Sequence, residues 1–193
     1  NYAHIGNFRA YMAADILHRY LAYKGFKVTQ VMNLTDVDDK TIRDSQKEKV
    51  SLKEFTEKYT KLFFDDMDTL NIERVEKYPK ATDFIKEMLD MTKILLKKGI
   101  AYKSEDGSVY YSVSKFKEYG KLTGLILKNL KVGDRVKQDE YEKESANDFA
   151  LWKAYETTDG DVYWDSELGK GRPGWHIECS AMSSKYLGKH FDI

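Results

Sequence analysis

His4-Ile5-Gly6-Asn7-Phe8-Arg9-Ala10-Tyr11-Met12-Ala13-Ala14-Asp15-Ile16-Leu17-His18-Arg19-Tyr20-Leu21-Ala22-Tyr23, then Lys24-Gly25, then Phe26-Lys27-Val28-Thr29-Gln30-Val31-Met32-Asn33-Leu34, is the stretch on which the fold class turns. Ile5, Phe8, Met12, Ile16, Leu17, Tyr20 and Leu21 recur at three- and four-residue steps, which predicts an amphipathic helix over 5–23. Gly25 can close it, since glycine enters the left-handed conformation of a helix end without a Cβ penalty. The run over 26–34 is rich in strand formers and reads as a strand. Helix followed directly by strand implies a strand before the helix, an order that belongs to a parallel α/β sheet. Thr35-Asp36-Val37-Asp38-Asp39 comes next, at the carboxyl end of that strand, where open parallel sheets bind their ligands.

Further along, Leu52, Phe55, Tyr59, Leu62, Phe63 and Leu70 predict a helix over 51–70. Ile85, Met88, Leu89, Leu95 and Leu96 predict another over 82–98, stopped by Gly99. The pattern then changes. Asp106-Gly107 lies between Tyr102 and Val109-Tyr110-Tyr111, a hairpin signal, because Asp-Gly tolerates the positive φ angles of a tight turn. An antiparallel element inside an α/β pattern suggests an insertion. Residues 114–147 carry Lys115, Lys117, Lys121, Lys128, Lys131, Arg135 and Lys137 and read as a solvated face of that insertion, with RNA-backbone contact as the alternative. A helix over Trp175–Leu187 and a strand at His190-Phe191-Asp192-Ile193 complete the reading. The expected organisation is a first half of a parallel-sheet domain over 1–98, an inserted α+β module over 99–150, and the start of the second half over 151–193.

Composition narrows the class. The chain has 193 residues, 41% of them hydrophobic, enough for a real core in one domain carrying an inserted module. Its 32 basic and 32 acidic side chains cancel, so any nucleic acid must be met by a local patch rather than by an overall field. No stretch approaches the roughly 20 apolar residues that span a bilayer, and none resembles a signal peptide, so the expectation is a cytoplasmic protein with no membrane partner. Asn1 in place of an initiator Met, and a strand in mid-run at Ile193, make the chain read as a piece of something longer.

Two groups of residues carry chemistry. His4-Ile5-Gly6-Asn7 opens a helix, where unpaired backbone amides and the positive dipole end suit a nucleotide phosphate; Gly6 permits close approach, and His4 and Asn7 can donate hydrogen bonds. The alternative is that Asn7 only caps the helix and His4 is a loop residue. Cys179, the single cysteine, sits in Gly171-Arg172-Pro173-Gly174-Trp175-His176-Ile177-Glu178-Cys179-Ser180-Ala181-Met182. Without a partner it cannot form an internal disulfide, so it is either a small core residue or a soft thiolate suited to zinc or to nucleophilic attack. Asp36, Asp38 and Asp39 suggest a hard-metal site at first sight, but carboxylates opening a helix satisfy its amides and dipole, and capping is the preferred reading.

The chain resembles the cysteinyl-tRNA synthetases, a family of class I aminoacyl-tRNA synthetases. His4-Ile5-Gly6-Asn7 looks like the class I signature His-Ile-Gly-His with Asn in fourth place. Asn33-Leu34-Thr35-Asp36-Val37-Asp38-Asp39-Lys40 looks like the segment after the family's second strand. Asp148-Phe149-Ala150-Leu151-Trp152-Lys153 and the run from Gly169 to Met182 look like the return from the inserted module. The blocks occur in the family's order and span almost the whole chain.

The resemblance implies a Rossmann-like catalytic domain that activates L-cysteine with ATP and Mg²⁺ to cysteinyl adenylate and then passes the cysteinyl group to tRNA(Cys), as a monomer. It implies that His4, Ile5, Gly6 and Asn7 bind ATP, with His4, Gly6 and Asn7 serving catalysis. It matches Thr35 and Trp175 to substrate-binding residues, and Cys179 to one of four zinc ligands (two Cys, a His and a Glu) whose metal takes the substrate thiolate. Zinc would then favour sulfur over the oxygen of serine, which a simple pocket rejects poorly. The other three ligands and the Lys-Met-Ser-Lys-Ser signature are not in this sequence; their expected positions lie before Asn1 and beyond Ile193, and neither His176 nor His190 occupies the family's ligand position. The expectation is that the fragment alone binds zinc weakly and forms no aminoacyl-tRNA. Two rival readings remain: the cysteine ligase of mycothiol biosynthesis, and a non-catalytic synthetase-like domain that binds RNA or a partner.

Overall fold

His4 begins the fold by capping α1 (Ile5–Tyr23), the helix expected from the apolar steps. In this computed structural model, which describes residues 2–122 and 148–193, the chain gathers into two compact units. The first comprises residues 1–83 and 182–193, the second 84–181. The basic residues Lys128, Lys131, Arg135 and Lys137 lie outside the described residues.

In the first unit α1 ends where Gly25, at φ +87°, donates to Ala22 O while Phe26 N returns to Leu21 O. Phe8 is the buried residue of α1, packed with Met67 and Ile72 and flanked by Tyr11, Phe63 and Phe64. The face that carries Ile5, Met12, Ile16, Tyr20 and Tyr23 is exposed. Periodicity identified the helix, but the neighbours of α1 meet it on its Phe8 and Asp15 side. There Asp15 accepts from Glu73 N at 3.0 Å, Arg19 donates to Asn71 O at 2.6 Å, and His18 bonds Gln30 at 2.8 Å.

Residues 26–34 differ from expectation. They run extended but form no continuous strand, only two isolated parallel bridges, Val31 to Lys77 and Leu34 to Lys80. Met32 N donates to Lys77 O, Leu34 N to Pro79 O, and Ala81 N to Leu34 O. In that register the N–H between the two bridges would belong to residue 79, aimed at the Met32 carbonyl. Residue 79 is proline, which has no N–H, so the ladder breaks there.

Two capped helices follow. Asp38 caps α2 (Asp39–Glu48) by accepting from Thr41 N at 2.6 Å, and Thr41 Oγ1 accepts from Asp38 N. Ser51 caps α3 (Leu52–Thr69), and Glu54 completes the box by accepting from Ser51 N at 3.0 Å. Asp36, largely buried, accepts from Thr82 N and Oγ1 instead of capping a helix. Residues 190–193, expected as a strand, belong to none: Gly188 turns out of the last helix at φ +84°, and no described segment pairs with residues 190–193.

The second unit is built around a sheet. The helix expected over 82–98 is a 3-10 turn, Ala81–Phe84, running into α4 (Ile85–Lys97), with Gly99 at φ +70° after it. Strands β1 (Ala101–Lys103), β2 (Val109–Tyr111), β3 (Phe149–Ala154) and β4 (Gly171–Pro173) form one antiparallel sheet in sequence order. The β1–β2 hairpin closes through Glu105-Asp106-Gly107. Ser104 N donates to Ser108 O, Gly107 sits at φ +90°, and both Asp106 oxygens accept from Ser108. It is therefore a three-residue loop with a left-handed glycine. Asp148, buried just before β3, accepts from Val113 N and the Tyr102 hydroxyl, joining β3 to the hairpin. Val109, Tyr110, Leu151 and Trp152 of the sheet are buried, as are Ile85 and Met88 of α4, the helix that contacts β1, β3 and β4. From β4 the chain passes through Gly174 into α5 (Trp175–Leu187), as expected. Among the described residues no helix is long and apolar enough to cross a membrane.

Candidate functional site

At the amino end of α1 two side chains organise the backbone. Nδ1 of His4 accepts from Gly6 N at 3.1 Å, and Asn7 Oδ1 accepts from His4 N at 3.1 Å, a reciprocal cap. Accepting at Nδ1 leaves the proton of the neutral imidazole on Nε2, which can donate outward. A Cβ on Gly6 would lie 2.9 Å from His4 Cε1 and 3.0 Å from Nδ1, so this glycine makes room for the imidazole. Capping and ligand binding, set against each other in the sequence, are compatible: Asn7 caps through its oxygen, which leaves the amide NH₂ to donate. His4, Ile5, Gly6 and Asn7 are all exposed.

His4 and Asn7 line a cleft of about 480 Å³ in the first unit, together with Tyr2, Asp38, Lys40, Thr41 and Tyr59. Its wall also holds Asp44 and Asp66, so it offers carboxylate acceptors, one ammonium and aromatic faces beside the amides of a helix end. Arg43 donates to Asp44 and holds its carboxyl below the usual range. Thr35 is not among the lining residues; half-buried, it accepts from Asn33 Nδ2 at 3.2 Å.

Trp175 and Cys179 belong to the second unit, four residues apart on one face of α5. Trp175 is 61% exposed, and Cys179 is exposed too, whereas Ile177, Glu178 and Ala181 are buried. Cys179 is therefore not the small core residue that its sequence context also allowed. The Trp175 ring leans on His176, and His176 on Phe149 of β3. Desolvation, with the Glu178 charge adding to it, pushes the Cys179 thiol above its ordinary pKa, so a thiolate there calls for a cation beside it. As a donor Cys179 suits zinc. Among the described residues, however, no three His, Cys, Asp or Glu side chains cluster as a metal site, so these residues do not make up a full shell.

Two glycines set the approach to α5. A Cβ on Gly171 would meet Trp152 Nε1 at 2.7 Å, and one on Gly174 would overlap the Ala150 carbonyl, with Ala150 C at 2.5 Å. Between them Arg172 donates from Nε to Asp159 Oδ1 at 2.9 Å, both side chains buried. Sequence reasoning overlooked this pair. The available signal was an arginine between two close-approach glycines; its partner, thirteen residues earlier, carried none.

The sequence matches, over residues 1–193, the family model of the tRNA synthetases class I (C) catalytic domain. It is 58% identical over 195 residues to the cysteine–tRNA ligase of Brachyspira hyodysenteriae, a match covering all of this chain and 41% of that protein. The cysteine–tRNA ligase of Protochlamydia amoebophila is 53% identical over 196 residues, and that of Koribacter versatilis 50% over 193, again across the whole chain. The chain thus spans about two fifths of the length of these curated relatives. With one family model running the full length and identities far above those of fold likeness alone, this chain belongs to the family of class I (C) tRNA synthetase catalytic domains.

Proposed function

We propose that the chain is the catalytic part of a cysteine–tRNA ligase, which joins L-cysteine to tRNA(Cys) by way of cysteinyl adenylate. The observation that carries this reading is the match of the whole chain, at 58% identity, to a protein named for that activity. The capped amino end of α1 beside an open cleft supports it chemically. On this reading the substrate carboxylate oxygen attacks the α-phosphorus of ATP, and the bond to the bridging oxygen of pyrophosphate breaks, with Mg²⁺ accompanying the nucleotide. No side chain need act as general base, because the carboxylate is already ionised; the protein supplies position and charge stabilisation. His4 Nε2 and the Asn7 amide donate to phosphate oxygens near the α1 amides, Ile5 and Gly6 give the nucleotide access to them, and His4, Gly6 and Asn7 form the catalytic group.

Thr35 and Trp175 are assigned to the amino acid. Cys179 is assigned to zinc as one donor of four, and that metal, when bound, would hold the substrate as thiolate and so discriminate against serine. The Rossmann-like parallel sheet and the inserted module over 99–150 belong to the same reading, as do a monomeric state and a cytoplasmic location. The test is ATP–pyrophosphate exchange by the full-length protein. His4→Ala is expected to lower the rate about 10²- to 10³-fold, the usual loss for one donor to a developing charge. Cys179→Ala is expected to lose cysteine-dependent exchange and its preference over serine. Unchanged exchange in both variants refutes the assignment.

A further inference from the structure

We propose that Arg172 is a positioning residue for amino-acid recognition: its buried pair with Asp159 fixes β4 and, through β4, the rotation at which α5 presents Trp175 and Cys179. The inference rests on the reading of Trp175 and Cys179 given above. The two side chains are 4% and 5% exposed and meet at 2.9 Å. An ion pair that deep seldom adds stability, because removing both charges from water offsets most of their attraction, and an apolar pair of similar volume does as well or better. Its distinguishing property is geometry.

Apolar packing tolerates sliding, whereas this pair has one arrangement. Asp159 Oδ2 is taken by Glu156 N at 2.9 Å, which orients the carboxylate before it meets the guanidinium. Arg172 in turn sits opposite Lys153 in the β3–β4 ladder. Only Pro173, the last residue of β4, with its fixed φ, and Gly174, held by its N–H to Leu151 O at 3.0 Å, separate Arg172 from Trp175. That link is too short and stiff to absorb a shift of the strand. At an α-helical Cα radius of about 2.3 Å, a rotation of about 25° already moves each Cα by about 1 Å, and the side-chain tips by more. Misplacement on that scale can cost about 10²-fold in rate.

The experiment uses the full-length protein and a paired apolar replacement, Arg172→Met with Asp159→Leu, assayed for melting temperature and for KM of cysteine and of ATP in pyrophosphate exchange. The expected result is a melting temperature at or above the parent's, a cysteine KM raised about tenfold or more, and an ATP KM within about twofold. A parental cysteine KM in the stable double variant overturns the proposal. Should that variant melt early, Arg172→Lys decides, since it keeps the charge and loses the planar fork: a raised cysteine KM supports positioning, and a parental one overturns it. Trp175→Ala and Cys179→Ala, run alongside, separate the two levels. If neither moves the cysteine KM, the underlying reading fails; if both do and the Arg172 variants do not, only the positioning role fails.

Discussion

Replacing Gly174 with alanine adds one methyl group just past the end of β4, where the chain lies against the backbone of β3. The φ angle of Gly174 lies outside the left-handed range, so alanine can adopt the backbone and the obstacle is space. The new Cβ would overlap the Ala150 carbonyl oxygen, with Ala150 C at 2.5 Å and Leu151 N at 3.2 Å. These are main-chain atoms of β3, buried and paired with β2 on the other side, and they cannot swing away as a side chain would. The β4 end must lift instead, and the bond from Gly174 N to Leu151 O goes with it. That bond is worth about 0.5–1.5 kcal/mol, and forced overpacking costs about 1–3 kcal/mol, so the expected loss is about 2–4 kcal/mol. At about 2–4 °C per kcal/mol for a chain of this size, the melting temperature should fall by roughly 4–16 °C in calorimetry. Gly188→Ala is the control, with open space around it but a φ of +84°; its cost is conformational only, about 1–2 kcal/mol. A Gly174→Ala protein that melts within 2 °C of its parent, or no lower than Gly188→Ala, refutes the reasoning.

Gly6→Ala tests a contact of the opposite kind. Its Cβ would press on the His4 ring at 2.9 Å, and a ring can move, so the melting temperature should change by less than about 2 °C. Pyrophosphate exchange should nevertheless drop about 10²-fold as the imidazole leaves its place; parental exchange would remove His4 from the catalytic group. Ser51→Ala should destabilise α3 by about 1 kcal/mol through loss of the cap. The Ser51 hydroxyl and backbone N–H hold the Glu54 carboxyl below its usual pKa. Its favourable contribution is therefore complete above the unfolded value of about 4.3 and is lost as pH falls through the lower folded value. The difference in urea stability between parent and Ser51→Ala should then be larger at pH 7 than at pH 3, and an NMR titration should show Glu54 moving up in the variant. An equal difference at both pH values, or an unmoved Glu54, counts against it.

Local chemistry by itself determined a good part of this protein. The helices over 5–23, 51–70 and 175–187 were legible within a residue or so, because periodicity and caps such as Ser51 with Glu54 act between residues three or four apart. The hairpin was legible for a similar reason, with Asp106 and Gly107 inside the loop they build. The ordered motifs also sufficed to indicate the family, since they are runs of residue types that need no partner in space to be read. Tertiary structure decided what depends on partners far along the chain. A strand exists only through its neighbour, and the segment over 26–34 is interrupted by Pro79, 45 or more residues away. The face of α1 that turns inward was chosen by Phe63, Met67 and the segment over 71–73, so the apolar stripe that revealed the helix lies largely outside. Which residues of α5 face solvent was also settled in three dimensions, with Trp175 and Cys179 exposed and Ile177, Glu178 and Ala181 buried, and the Arg172–Asp159 pair is one that no local pattern announces. Hydrogen bonds of helices and turns close over a few residues and can be read from them; the packing of one element on another is a property of the surfaces that meet.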